Sequence, residues 1–174
     1  SQRVNKRFCK KNEFVLKVPE PLIIKGSSKV MSLTDGRKKM SKSDINESSR
    51  INLLDPPELI MKKVKRAKTD SVVGLEFNNP ERPESDNLLN LYSILSQSSR
   101  ESVIKECSTM SWGTFKPLLG EAIINSMEPI QTKYQSLKKD PAELKRFLIQ
   151  GKEKAAAVSS KTLDRVKESI GLNI

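Results

Sequence analysis

A short run, Lys39-Met40-Ser41-Lys42-Ser43, has residue types and a spacing that suit the binding of a polyphosphate. Each lysine carries a compact charge on a flexible stem, which reaches phosphate oxygens from a loop. Ser41 and Ser43 add hydroxyl and backbone N–H donors without bulk. The run therefore predicts a phosphate-binding loop. The alternative is a solvated charge run on a surface loop, which is common in lysine-rich chains.

The composition limits the chemistry that this chain can perform. It contains no histidine, which excludes serine–histidine and cysteine–histidine nucleophile pairs and histidine acid–base catalysis within the chain. Its two cysteines, Cys9 and Cys107, are far apart, so we predict no metal site and reduced, structural cysteines. Any catalysis must then rest on positioning and charge stabilisation.

The charge balance favours an anionic partner. Over 174 residues the net charge is +11, and nucleic acid is the first candidate. The alternative is that the excess charge only keeps a lysine-rich protein in solution. No apolar run approaches membrane-spanning length and the first residues are not a signal peptide, so we expect a soluble intracellular protein without membrane contact.

The first 50 residues indicate the end of an α/β domain. Residues 1–11 have the pattern of a helix end, 14–24 should be extended because of their prolines, and 29–33 predict a short strand. That strand leads directly into the lysine run. Ligand-binding residues just past the carboxyl end of a strand are typical of a nucleotide-binding, Rossmann-like sheet.

After residue 50 the pattern becomes helical, so the fold class is α/β at the start, all-α afterwards and mainly α overall. We expect Asp55 and Asp86 to cap helices, with a loop over 69–85 between these helices. A capping box at Ser98 and Glu101 should open another. A long helix over 113–137 should kink or break near Asn125, because Pro129 lies inside its pattern. Two further helices should follow, the first ending at Gly151 and the second spanning about 155–170.

Two further features could bind RNA. The helix predicted after Asp55 carries a basic face made of Lys62, Lys63, Lys65, Arg66 and Lys68. Of these, Lys62, Lys65 and Arg66 are the predicted RNA contacts. The alternative is a solvated helix face. Trp112, the single tryptophan, could stack on a base or serve as a packing anchor, and its place at a helix start favours packing.

Several segments, in their order and spacing, resemble the C-terminal half of bacterial-type tryptophanyl-tRNA synthetases, which belong to class I. They are the lysine run, Asn87-Leu-Leu-Asn-Leu-Tyr-Ser93 and Met110-Ser-Trp-Gly-Thr-Phe-Lys-Pro-Leu-Leu119, and the resemblance extends from Arg3 to Leu172. The segments over 74–84 and 111–117 look most like the cyanobacterial and plastid branch.

The resemblance implies roles for individual residues in adenylate formation. Lys39 and Lys42 would be catalytic and hold the pyrophosphate leaving group, and Ser41 and Ser43 would donate to phosphate oxygens. The implied ATP-binding set is Val30, Lys39, Met40, Ser41, Lys42 and Ser43, with Val30 and Met40 as apolar walls near the adenine. For Val30, ordinary core packing is the alternative. Gly36-Arg37 replaces a Pro-Thr pair of many relatives, which predicts a looser hinge.

The resemblance also implies substrates, partners and an organisation into domains. ATP with Mg²⁺, L-tryptophan and tRNA-Trp are the implied ligands, and the full-length enzyme would be a homodimer in a bacterial cytoplasm, plastid or mitochondrion. Residues 1–50 would end the catalytic domain, 51–150 would form a helical anticodon-binding domain, and 151–174 a C-terminal helix that folds back.

The family's first ATP signature and its tryptophan pocket should lie upstream of residue 1. We therefore interpret the sequence as a C-terminal fragment that is inactive alone. The alternatives are a fragment of the sister tyrosyl-tRNA synthetase, a stand-alone, non-catalytic RNA-binding module, and a basic helical scaffold with a coincidental lysine loop.

Overall fold

The protein is mainly helical. The structure, a computed structural model, describes residues 1–8, 16–22 and 29–172. Its helices are α1 (Gln2–Phe8), α2 (Pro57–Arg66), α3 (Pro83–Leu95), α4 (Arg100–Cys107), α5 (Trp112–Lys139) and α6 (Pro141–Ser169), and Glu47–Ser49 forms a single 3₁₀ turn. None of the helices in these ranges is long and apolar enough to cross a membrane.

The strand that we predicted over 29–33 does not form. In the described ranges β pairing is limited to one isolated antiparallel bridge between Met31 and Lys39. The other edge of this segment is occupied by the side chain of Asn87 and the backbone of Ser49 and Lys68, so no second strand can pair there. The extended segment predicted over 14–24 lies partly outside the described residues, and residues 16–22 contain no helix or strand.

The chain divides into two compact units, residues 1–22 with 135–174, and residues 23–134. In the first unit, the Asn5 side chain binds both backbone groups of Leu16, at 2.6 and 2.9 Å. No residue of α6 is buried. The predicted boundaries at residues 50 and 150 separate regions of different function, not compact units. These boundaries therefore stay a prediction.

Helices α2 to α5 build the core of the unit over 23–134. Apolar residues recur every three or four positions along each helix and so share one face. Phe115 is fully buried, and its ring meets the rings of Tyr92 and Trp112 edge-on, with centroids 5.7 and 6.1 Å away. The core residues are Leu33, Ile60, Val64, Ala67, Leu75, Leu88, Leu89, Tyr92, Val103, Cys107, Phe115, Leu119 and Ile123.

Cys107 fits the prediction of a structural cysteine. It is completely buried and has no disulfide partner. Burial raises the pKa of its thiol to about 11, with the nearby Glu106 carboxylate adding to the effect. A thiol with so little thiolate at neutral pH is a poor nucleophile. Cys9 lies outside the described residues.

Three predicted helix starts are wrong. α2 is preceded by Pro56 and begins at Pro57, so Asp55 is not its cap. α3 begins at Pro83, where a missing N–H costs nothing, and Asp86 instead accepts a hydrogen bond from Asn78 N at 3.1 Å. α4 is capped by Ser99, whose Oγ accepts from Ser102 N, and not by a box at Ser98.

Two places where we predicted that a helix could end lie inside longer helices. α5 continues through Pro129. The helix tolerates this proline because Asn125, whose carbonyl loses its usual N–H partner, is exposed to water. α6 continues through Gly151, since one glycine costs only about 1 kcal/mol in a long helix. Asp140 caps α6 by accepting from Glu143 N at 2.9 Å.

Candidate functional site

A short hairpin presents the lysine run. Ser32 N donates to Lys38 O at 2.8 Å and Met40 N donates to Val30 O at 3.0 Å, one on each side of the Met31–Lys39 bridge. Val30 and Met40 are therefore neighbours across the hairpin, and Lys39 stands on its second arm. The remainder of the lysine run leaves the hairpin as a loop.

The hairpin is attached to α3 by one side chain. Asn87 Oδ1 accepts from Met31 N at 3.0 Å, and Asn87 Nδ2 donates to Met31 O at 3.1 Å. The amide thus satisfies both backbone groups, as a neighbouring strand would. This role of Asn87 was not predicted from the sequence. The available signal was a polar Asn87 beside Leu88 and Leu89 on a core-facing helix.

The turn of the hairpin packs tightly instead of forming the looser hinge that we expected. Asp35 Oδ1 accepts from Arg37 N at 3.0 Å, which fixes the turn locally. Gly36 is buried, and a Cβ atom there would lie 2.8 Å from Glu84 N and 2.9 Å from the Pro83 carbonyl carbon. Gly36 therefore has a steric role, because only a residue without a side chain fits against the start of α3.

Residues 41–46, called the lysine loop below, are all exposed. The Ser41 and Ser43 hydroxyls are 3.1 Å apart and hydrogen-bonded to each other. Ser43 N also donates to Ser41 Oγ at 3.3 Å. In the described part of the chain, neither Lys39 nor Lys42 forms an ion pair, so both ammonium groups are available to a ligand.

A pocket of about 620 Å³ brings most of the predicted ATP residues together. Five of the six predicted residues line it, whereas Ser43 does not. Lys29, Arg50 and Asn52, which the sequence analysis did not select, also face this pocket. Its lining contains four cations and no carboxylate, which suits a polyphosphate. The lining residues are Lys29, Val30, Lys39, Met40, Ser41, Lys42, Arg50, Ile51, Asn52 and Leu53.

The basic face of α2 is only partly as predicted. Lys62, Lys65 and Arg66 are exposed, so they remain candidates for RNA contact. Lys63 is buried and its ammonium group binds the buried Asp55 carboxylate, so including it in the basic face was wrong. Burial opposes the ionisation of Asp55, but hydrogen bonds from Lys63 and Asn52 outweigh this and leave its pKa below the ordinary value.

A second lysine closes the C-terminal end of α2. Lys116 Nζ donates to the carbonyl oxygens of Ala67 and Lys65, at 2.7 and 3.3 Å. A cation is favourable where the last carbonyls of a helix lack partners. Burial lowers the pKa of Lys116. This lysine therefore has a structural contact that ties α5 to α2.

Trp112 is a packing residue, in agreement with the interpretation that the sequence favoured. Its Nε1 donates to Asp70 Oδ1 at 3.2 Å and its ring meets Phe115 edge-on. Arg82 binds the same carboxylate through two nitrogens, at 2.7 and 3.0 Å. These hydrogen bonds, that from Arg82 foremost, lower the pKa of Asp70 to about 2.

The described residues thus combine a cation-lined pocket with a basic, mainly helical body. Comparison with known proteins gives the class to which this combination belongs. The family described as tRNA synthetases class I (W and Y) matches residues 1–128, and the chain is a member of that family.

Individual relatives narrow the comparison to the tryptophan branch. The chain is 57% identical to a tryptophan–tRNA ligase of Prochlorococcus marinus (strain MIT 9313), over 99% of this chain and 51% of that protein. It is 46% identical to the chloroplastic/mitochondrial tryptophan–tRNA ligase of Arabidopsis thaliana, over 98% and 44%. The crystal structure of tryptophanyl-tRNA synthetase from Mycoplasma pneumoniae superposes with a TM-score of 0.82 at 28% identity, covering 99% of this chain and 51% of that one.

These comparisons confirm the resemblance that the sequence suggested, including its cyanobacterial and plastid character. The chain spans about half the length of the relatives that it matches.

Proposed function

We propose that the chain is part of a tryptophan–tRNA ligase, which activates tryptophan with ATP and transfers it to tRNA-Trp. The observation that carries this proposal is the pocket that unites Lys39 and Lys42, in a chain 57% identical to a ligase of that name. Four cations without a carboxylate suit the binding of the ATP phosphates.

Lys39 and Lys42 act by stabilising charge. When the tryptophan carboxylate attacks the α-phosphate, negative charge grows on the departing pyrophosphate, and a cation that meets it there lowers the barrier. Ser41 and Ser43 donate hydrogen bonds to phosphate oxygens after giving up the bond between their hydroxyls. No proton relay is required, which fits a chain without histidine.

Val30 and Met40 form the apolar walls near the adenine, which is supported by their proximity across the hairpin. Residues 1–50 contribute the end of a Rossmann-like domain. Mg²⁺ would enter with ATP as the ion that neutralises its phosphates. In the described ranges no group of three or more acidic, cysteine or histidine side chains could hold it.

The helical region contributes RNA binding. Lys62, Lys65 and Arg66 contact tRNA phosphates, and residues 51–150 form the anticodon-binding domain with residues 151–174 as a C-terminal helix. The exposed basic face of α2 and the net charge of +11 support the RNA-binding part of the proposal.

The complete enzyme is a homodimer and acts in a bacterial cytoplasm or in a plastid or mitochondrion.

Lys42→Ala in the complete enzyme tests the proposal. We expect the kcat of adenylate formation to fall by 10²–10³, about 3–4 kcal/mol, because one charged stabiliser of the leaving group is lost. ATP–pyrophosphate exchange would give kcat, and tryptophan binding should hardly change. A loss confined to the KM for tryptophan would contradict the assigned role.

The same assay separates the tryptophan enzyme from the tyrosyl alternative. The unsubstituted complete enzyme should support exchange with tryptophan and not with tyrosine. Exchange with neither amino acid, together with tRNA binding, would favour a non-catalytic RNA-binding module.

A further inference from the structure

One side chain joins the lysine loop to the rest of its unit. Arg50 Nη1 donates to the carbonyl oxygen of Asp44 at 2.7 Å. In the part of the chain that the structure describes, every other hydrogen bond of residues 41–46 joins residues no more than three positions apart. The loop is therefore fixed from outside at one point, by a guanidinium whose side chain is only 14% exposed.

Arg50 is itself held by a second hydrogen bond, to Asn52. Its Nε donates to Asn52 Oδ1 at 3.2 Å. Asn52 in turn donates to both carboxylate oxygens of Asp55, from its backbone N at 2.9 Å and from Nδ2 at 3.2 Å. The planar guanidinium thus bridges two acceptors in a fixed geometry, which a lysine ammonium cannot reproduce.

The far end of this network lies in the helical core. The buried Asp55 accepts from the buried Lys63 of α2, and Gln131 of α5 donates to the Asp55 carbonyl at 3.0 Å. A fully satisfied network of this kind in a partly buried site is stiff. A continuous series of hydrogen bonds therefore runs from α2 and α5 through Asp55, Asn52 and Arg50 to the lysine loop.

We infer that Arg50 is a positioning residue for the lysine loop, acting as a bridge from Asn52 to the Asp44 carbonyl. This inference rests on the proposed function. A bridge of this type holds Lys42 near the pocket that Arg50 also lines, and a small displacement of a charged stabiliser reduces a rate strongly. The effect of Arg50 should therefore appear in kcat more than in substrate binding.

Arg50→Ala in the complete enzyme gives the first test. We expect kcat for tryptophan-dependent ATP–pyrophosphate exchange to fall at least about tenfold, with tryptophan affinity within about twofold of the parent. Asn52→Ala should lower kcat in the same direction. The double variant should be no slower than Arg50→Ala, because both substitutions break one series of contacts.

Arg50→Lys separates positioning from charge alone. It keeps the positive charge but cannot bridge both acceptors, so kcat should remain well below the parent. Full recovery by lysine would overturn the inference and assign Arg50 a purely electrostatic effect. Arg50→Lys also serves as the decisive variant if Arg50→Ala lowers Tm strongly.

Glu47→Gln is the matched control. Glu47 pairs with Arg50 at 4.0 Å and its side chain is 80% exposed, so its loss leaves the bridge intact and kcat should change less than twofold. If the parent is active and both Arg50→Ala and Arg50→Lys have the same kcat as the parent, the positioning role is refuted. An inactive parent would instead refute the proposed function.

Discussion

Charged side chains of the same types serve different purposes in this protein, and burial separates the two groups. Lys39 and Lys42 are exposed and remain available to a ligand. Lys63 and Arg82 are buried, and each is neutralised by a carboxylate, Asp55 and Asp70 respectively. A buried charge without its partner costs several kcal/mol, so the second group is structural.

Arg82→Ala should destabilise the protein at neutral pH by about 2–4 kcal/mol, because the Asp70 carboxylate loses its two-pronged partner. The parent should also respond to acid. The folded pKa of Asp70 is about 2, below its unfolded value near 4. This pair thus stabilises the fold above about pH 4, and the stabilisation is lost as the pH falls towards 2. Chemical denaturation at several pH values measures the destabilisation by Arg82→Ala and the loss of stability of the parent in acid.

Arg146→Ala is the control for that prediction. Arg146 pairs with Glu143 at 3.4 Å on the exposed side of α6, where an ion pair contributes at most about 1 kcal/mol. Two results would contradict the role of the Arg82–Asp70 pair. The Arg82→Ala protein could be as stable as Arg146→Ala, or it could lose the same stability in acid as the parent.

The helix α2 combines a stripe of core residues with an exposed basic face. Ile60 and Val64 are buried four positions apart, whereas Lys62, Lys65 and Arg66 point to solvent. A helix with one apolar stripe and one charged face has this arrangement. Changes on the exposed face can therefore alter binding without removing core contacts.

Changing Lys62, Lys65 and Arg66 together to alanine should weaken tRNA binding and reduce its salt dependence. Each lost phosphate contact should lower the slope of log K against log salt by roughly 0.7–0.9. Tryptophan activation without tRNA should survive. Filter binding over a salt series measures the slope.

The triple variant Lys152→Ala, Lys154→Ala and Lys161→Ala removes the same charge from α6 and serves as the comparison. An equal fall in slope in both triple variants would mean that net charge, and not the face of α2, controls binding.

Two glycines should respond to alanine in opposite directions. Gly151 lies inside α6, and apart from the adjacent residues and helix backbone no atom lies within 4 Å of the place where an added methyl group would stand, so Gly151→Ala should stabilise by roughly 0.5–1 kcal/mol. At Gly36 the same methyl group would meet backbone atoms of α3 at 2.8 and 2.9 Å, so Gly36→Ala should destabilise by about 1–3 kcal/mol. Urea denaturation followed by circular dichroism measures both, and a neutral Gly36→Ala would refute the close approach.

The chain is a strongly basic protein that spans about half the length of the relatives that it matches. In the proposed enzyme, the pocket around the lysine loop binds the phosphates, and the described residues include no second element that we can assign to the amino acid. In the proposed enzyme, the tryptophan-binding residues belong to the other half.

The 174-residue chain alone should therefore not catalyse tryptophan-dependent ATP–pyrophosphate exchange. The radiochemical exchange assay measures this, with the complete enzyme as the positive control. Exchange above that of a heat-inactivated sample would contradict the prediction and would require an amino-acid site within this chain.

Features that depend on neighbours along the chain could be predicted from the sequence. The spacing of Lys39 and Lys42 predicted a phosphate-binding loop. Phosphate binding stays a prediction, but most of the residues chosen with the two lysines do line one pocket. Apolar periodicity predicted the helices of the core, because residues three or four apart share a face. The motif resemblance predicted the family, and its match over residues 1–128 confirmed it.

Contacts between groups that are far apart along the chain could not be predicted from the sequence. Asn87 replaces a neighbouring strand for Met31 across 56 positions, so the strand predicted over 29–33 did not form. Lys63 left the basic face because Asp55, eight positions away, pairs with it in the core. Arg50 reaches the lysine loop through contacts that no local pattern records. Such pairings depend on how the helices pack, and local sequence periodicity contains no information about that packing.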